Sequence, residues 1–195
     1  MTSSRRNWTT IGTTFILVAA CTFGYFSYSC FSDESLRLTL RLGARIGFGI
    51  YVIIFITRPL RDLFKTKLTR DLLKYRRQLG LVFGTLMMTH FCLIMLRVGT
   101  NPEFSLSTGA IFGAVIYLMI FLMMVTSFDT PARAIGPKAW RILHKAGLYI
   151  VGYAFASTLL PGSREQLFEP EYIAFTILIA FAALIRLTAF FAKRK

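Results

Sequence analysis

Apolar residues run along this chain in six blocks of similar length, at about 10–30, 39–57, 78–97, 105–128, 139–161 and 171–192, with polar and charged residues collected between them. An α-helix of about 20 residues crosses ~30 Å of hydrocarbon, so each block predicts one membrane-spanning helix. The expected fold is all-α and integral to the membrane: one domain over residues 1–195, built as a six-transmembrane-helix bundle. The second block is the least uniform, because Arg41 and Arg45 stand near its start. That start belongs at an interface, with the two side chains reaching outward to the polar layer.

The segment 58–77 has a different pattern. Leu60, Leu63, Phe64, Leu68, Leu72 and Leu73 fall near helical spacing with basic residues between them. This predicts an amphipathic interfacial loop helix lying on the inner leaflet. A docking surface for an acidic electron donor is the alternative, and the two are compatible.

Composition agrees with the pattern. The chain is 55% hydrophobic with a mean hydropathy of +0.58, which excludes an ordinary soluble domain. Its net charge of +14 raises nucleic acid as a partner, but the placement of the charge argues against it. With the N-terminus in the cytoplasm, 17 of the 23 basic residues fall on the inner side: Arg5 and Arg6, eight within 58–77, four within 133–145, and three at 193–195. The short connections then follow the positive-inside rule, with both termini cytoplasmic. The charge reports topology and contact with anionic lipid, not nucleic acid.

Arg5 and Arg6 precede an apolar run, as in a signal peptide, but no small-x-small cleavage pattern ends it; a retained first span is expected. Cys21, Cys30 and Cys92 have no paired spacing and read as small apolar side chains. No GxGxxG stretch and no alternating strand–helix pattern occurs, so a flavin or nucleotide would have to come from a partner.

The chain has two histidines, His90 and His144, and both lie in or at the edge of spans. An ionisable side chain at membrane depth is costly unless partnered, which makes each a functional candidate. Spans three and five run in the same direction under this topology. Counting from the inner face puts His90 deeper than His144 by about two turns, a mismatch that helix tilt or a later helix start absorbs. One object held between the two spans is the sharper reading, and a heme iron with two axial imidazoles is the first candidate. A buried histidine hydrogen-bonded to a neighbouring helix is the plain alternative. Gly80, Gly84 and Gly147 offer flat space beside the candidates, although Gly80-x-x-x-Gly84 equally serves close helix packing. Arg77, Arg97 and Arg141 are placed to meet propionates. Trp140 reads as an interfacial anchor or as lining for a donor route. Arg45 and Arg186 raise a transporter reading, weakened because no acidic residue falls within a span to pair with them.

Residues 76–90, RRQLGLVFGTLMMTH, resemble the third span of the ferric reductase-like transmembrane domain family. More narrowly they resemble the heme-binding membrane subunit of the bacterial methionine sulfoxide reductase system. Thr126-Ser127, Arg133-Ala-Ile-Gly136 and Trp140-Arg-Ile-Leu-His144 with Tyr149 resemble its fifth-span region, the tyrosine one residue later than in the family's W-x-x-L-H-x-x-x-Y pattern. Thr57-Arg-Pro-Leu-Arg61 resembles its T-P-L-R loop with one residue inserted. The resemblance covers about residues 45–160. It implies one heme b ligated by His90 and His144, because the position of the family's further histidine is Ser157 here. It also implies a multi-pass protein of the bacterial inner (cell) membrane that relays electrons as an oxidoreductase subunit within a larger complex. Its donor would be quinol or a flavin reductase, and its acceptor a protein or ferric iron. A non-enzymatic membrane subunit with a remnant or absent heme site is the second expectation.

Overall fold

The computed structural model describes residues 3–29, 32–100, 108–161, 163 and 169–192. Within them the chain forms six helices: α1 (Ser3–Ser29), α2 (Asp33–Leu63), α3 (Lys67–Thr100), α4 (Thr108–Val125), α5 (Asp129–Leu159) and α6 (Pro170–Ala192). Four helical stretches, Arg5–Phe26, α2, α3 and α6, are long and apolar enough to cross a membrane. α4 and α5 pass the same test only as a pair bent by 110°, so length and composition support four crossings, or five with the pair counted as one. The sequence pattern predicts six. The difference comes from the bent pair: the α4 stretch Gly109–Val125 is short, and α5 carries Arg133, Lys138, Arg141 and Lys145.

Local chemistry sets the helix ends. Ser32 caps α2 by accepting from the Ser35 backbone N–H, while the Ser35 hydroxyl accepts from the Ser32 backbone N–H. Asp33 and Glu34 fill the first turn, where the helix dipole favours negative charge. At the far end the Phe64 N–H donates to Leu60 O, and the Thr66 hydroxyl accepts from Thr69 N to start α3. Residues 58–77 are therefore the ends of α2 and α3 around a turn at 64–66, in place of the single surface helix expected. α5 breaks at Gly136 (φ 77°, ψ 163°), backbone that only glycine adopts without strain. Pro137 follows it as the first residue of the long inner segment, where a missing N–H costs nothing.

α2 is the central helix and packs against α3, α6, α1 and α5. The core gathers Phe48, Tyr51 and Val52 of α2 with Phe83 and Met87 of α3, Ile116 and Ile120 of α4, and Val151 and Phe155 of α5. Phe155 is its hub, with ring centroids 5.4 Å from Tyr51, 5.5 Å from Phe48 and 6.2 Å from Phe83. Large apolar side chains such as Leu17, Phe23, Ile177 and Leu184 point outward, as lipid solvent requires. Lipid tails are as apolar as the core, so close backbone approach carries much of the packing. Gly47 lies under Met87, Gly147 under Met123 and Gly152 under Tyr51.

Candidate functional site: two histidines at two levels

His90 lies on α3, and its ring is engaged at both nitrogens. Nδ1 stands 2.7 Å from the Tyr117 hydroxyl of α4, and Nε2 donates to Leu40 O of α2 at 3.0 Å. Donation at Nε2 leaves Nδ1 as the acceptor of the Tyr117 proton in the neutral imidazole. Gly43 makes the approach of α2 possible, since a Cβ there would stand 3.2 Å from His90 Cδ2. The imidazole forms part of the wall of a cavity of about 600 Å³ lined by Met87, Ile94, Ile116, Phe155 and, towards the outer rim, Arg41 and Arg45. Arg45 pairs with Glu171 at the start of α6, so this arginine does have an acidic partner, contrary to the sequence expectation. On its other side His90 borders an apolar groove of about 540 Å³ between α1, α2 and α3.

His144 lies on α5, in different surroundings. Its Nε2 stands 3.0 Å from the Thr126 hydroxyl, and the Trp140 ring stacks on it with centroids 4.2 Å apart. The Trp140 Nε1–H donates to Thr126 O at 2.9 Å. The adjacent Ser127 carbonyl accepts from Arg77 of α3 and from Asn7 Nδ2 of α1 at 3.3 Å. Arg77 also meets Asp129 at 2.8 Å. The α4–α5 elbow is thus gripped by three helices at once, and His144 is one of the grips. The cavity beside His144 measures about 100 Å³ and is lined by Tyr51, Arg76, Gly80, Gly84 and Ser127.

The two imidazoles do not meet. On α4, the partner of His90 is Tyr117 and the partner of His144 is Thr126, nine residues apart, or about 13 Å along the helix. α3 gives the same answer, because His144 faces the level of Gly80 and Gly84, six to ten residues before His90, or about 9–15 Å. Two nitrogens on one metal stand roughly 4 Å apart, twice a metal–nitrogen bond. One porphyrin shared by both histidines therefore does not fit this arrangement. The two-turn mismatch counted from the sequence is kept by the fold and not absorbed by tilt.

The other expected site residues divide in the same way. Gly80 faces open space in the His144 cavity, whereas a Cβ on Gly84 would stand 3.3 Å from Met124 Sδ, and one on Gly147 would crowd Met123 and Met119. These two glycines bring helices together. Arg97 bonds Asp33 at 3.0 Å, which ties the end of α3 to the start of α2, and Arg141 donates to Pro137 O within its own helix. Neither lines a histidine cavity. Sequence reasoning missed Tyr117 and Leu40, the partners of His90, since nothing on α2 or α4 marks them. Thr126 was visible only as part of the quoted motif.

Residues 43–156 match the ferric reductase like transmembrane component family, so the chain belongs to that family. Over 167 residues it is 22% identical to magnetosome protein MamZ of Magnetospirillum gryphiswaldense, a match covering 80% of this chain and 24% of MamZ. The chain thus spans about a quarter of that relative's length. No solved structure matches.

Proposed function

We propose that this member of the ferric reductase-like family is a multi-pass electron-transfer protein of a bacterial inner membrane, with both termini on the basic cytoplasmic face and its donor and acceptor supplied by partners. The single observation that carries the reading is the roughly 600 Å³ cavity inside the bundle that His90 borders. Its lining fits a porphyrin, with one imidazole in the wall and apolar side chains from α3, α4 and α5 on either side. At the rim Arg41 would meet one propionate, and Arg45, held there by Glu171, would exchange that partner for a second propionate. A heme b bound there would supply a one-electron carrier inside the bilayer.

The chain's own residues do the rest. The Leu40 carbonyl, accepting from Nε2–H, fixes the plane of the His90 ring as an outer partner does for a ligating imidazole. Nδ1 would bind the iron in exchange for its hydrogen bond with Tyr117, which lines the same cavity. The apolar walls exclude water. The residues of α5 that line this cavity are Val151, Ala154, Phe155, Thr158 and Leu159, none of them a nitrogen ligand. His144 acts as a positioning residue for the α4–α5 elbow, in a cavity too small for a porphyrin. The likeness of residues 76–90 and 140–149 to the methionine sulfoxide reductase membrane subunit supports quinol or a flavin reductase as donor and an external protein as acceptor.

The test is a reduced-minus-oxidised difference spectrum of the full chain purified from heme-replete membranes. Heme b bands are expected in the wild type and in His144→Ala, and are lost in His90→Ala. Heme retained at wild-type stoichiometry in His90→Ala overturns the assignment. Matured wild-type protein without heme overturns the relay and supports the non-enzymatic subunit instead.

A further inference from the structure

A second charged site lies in the basic half of the bundle, away from the His90 cavity and bordering the His144 cavity only through Arg76. Arg186 of α6 lays its guanidinium over the ring of Phe55 (α2), 3.9 Å from the centroid, with the Tyr149 ring (α5) 4.9 Å away. Stacking fixes the plane of the guanidinium and leaves its N–H edge unused. Its Nη1 is buried and has no hydrogen-bond partner among the described residues. Arg76 of α3 reaches the same stretch of α2, its Nε donating to Ile54 O at 3.4 Å beside Phe55, and Arg58 stands three residues beyond Phe55 on α2. No carboxylate pairs with any of the three among the described residues, whereas Arg37, Arg45, Arg61, Arg77 and Arg97 each have one. Three cations from three helices therefore gather around residues 54–58 of α2 without a carboxylate partner among the described residues, and one presents a buried, unfilled donor.

Burying an uncompensated charge is costly, so the site calls for an anion. Arginines offering paired N–H groups to one spot match a phosphate, which accepts in the same forked geometry. The position selects its source. Arg186 lies six residues before the end of α6, about 9 Å inside that end, within reach of the headgroup layer. Its neighbours Leu184, Leu187 and Tyr149 are exposed on the outside of the bundle, where acyl chains run.

We propose that Arg186, Arg76 and Arg58 form a binding site for the phosphate of an anionic phospholipid of the inner leaflet, with Phe55 and Tyr149 holding Arg186 in place. The proposal is independent of any heme, because none of its measurements uses one.

The test places the full chain in phosphatidylcholine nanodiscs and titrates a fluorescently labelled phosphatidylglycerol against a labelled phosphatidylcholine. Preference for phosphatidylglycerol is expected, falling about fivefold for Arg186→Met and again for Arg76→Gln, the usual worth of one cation near anionic lipid. Arg61→Gln, which removes an arginine already paired with Asp62, should leave it unchanged. Should Arg186→Met not fold, Arg58→Gln at its exposed position provides the same comparison with a smaller drop. A preference unaltered in folded Arg186→Met, or in Arg58→Gln where that variant stands in, overturns the site. Displacement of the labelled lipid by millimolar inorganic phosphate alone overturns the lipid assignment, since it shows a site for soluble phosphate.

Discussion

Replacing Gly152 with alanine tests whether close backbone approach holds α2 against α5. A Cβ at this position falls inside the van der Waals envelope of the Tyr51 hydroxyl, with Tyr51 Cζ only 3.2 Å away. Tyr51 is 5% exposed and cannot simply swing out. Its ring packs 5.4 Å from Phe155, 5.5 Å from Phe55 and 6.2 Å from Phe83, and its hydroxyl donates to Leu148 O at 2.8 Å. Overpacking of this kind costs about 1–3 kcal/mol. Losing the hydroxyl's hydrogen bond adds about 1 kcal/mol. Alanine's better helix propensity returns about 1 kcal/mol, leaving a net loss of about 1–3 kcal/mol. Gly49→Ala on α2 is the control, because nothing lies within 4 Å of a Cβ there. It gains the propensity without the clash, so the two variants should differ by about 2–4 kcal/mol. Unfolding in mixed micelles titrated with dodecyl sulfate, followed by far-ultraviolet circular dichroism, reads the difference. Tyr51→Phe removes the clashing oxygen, so the double variant with Gly152→Ala should recover about 1–2 kcal/mol relative to additivity. Equal stability of the two alanine variants, or strict additivity in the double variant, would refute the argument.

Three further outcomes are expected. Gly136→Ala forces a Cβ onto glycine-only backbone, so it should lose about 1–3 kcal/mol in the same assay or straighten the break in α5. Trp140→Phe keeps the ring over His144 but removes the N–H that Thr126 O accepts; a loss of about 1 kcal/mol is expected, and no loss would show that the elbow is held elsewhere. A heme bound at His90 alone should show a high-spin ferric spectrum, because no second imidazole lines that cavity. A low-spin spectrum abolished by His144→Ala would restore ligation by both histidines.

Much of this protein is legible one helix at a time. The apolar blocks mark the helices, because a segment in lipid must satisfy its backbone internally and show apolar side chains all round. The inward bias of lysine and arginine gives an orientation. His90 and His144 stand out by their rarity alone. The turn at 64–66 was harder to see, because the leucine spacing of 58–77 suits one surface helix as well as two helix ends.

Relations between helices were not legible, and they decide the site. Sequence counting gave a depth difference between the two histidines but not whether tilt would remove it. Only packing settles that, because the registers of α3 and α5 against α4 depend on which side chains interlock, here Gly84 of α3 against Met124 and Gly147 of α5 against Met123. Tyr117 and Leu40 become partners of His90 through helix rotation and crossing, from 27 and 50 residues away in the chain. Likewise Arg186 appears in the sequence as a lone charge in an apolar run; only the fold sets it on Phe55 near Arg76. The sequence by itself determined a helical membrane protein and named its rare polar residues, since both follow from lipid as solvent. The tertiary structure decided which of those residues meet, because contact depends on the relative depth and rotation of helices, which no single helix encodes.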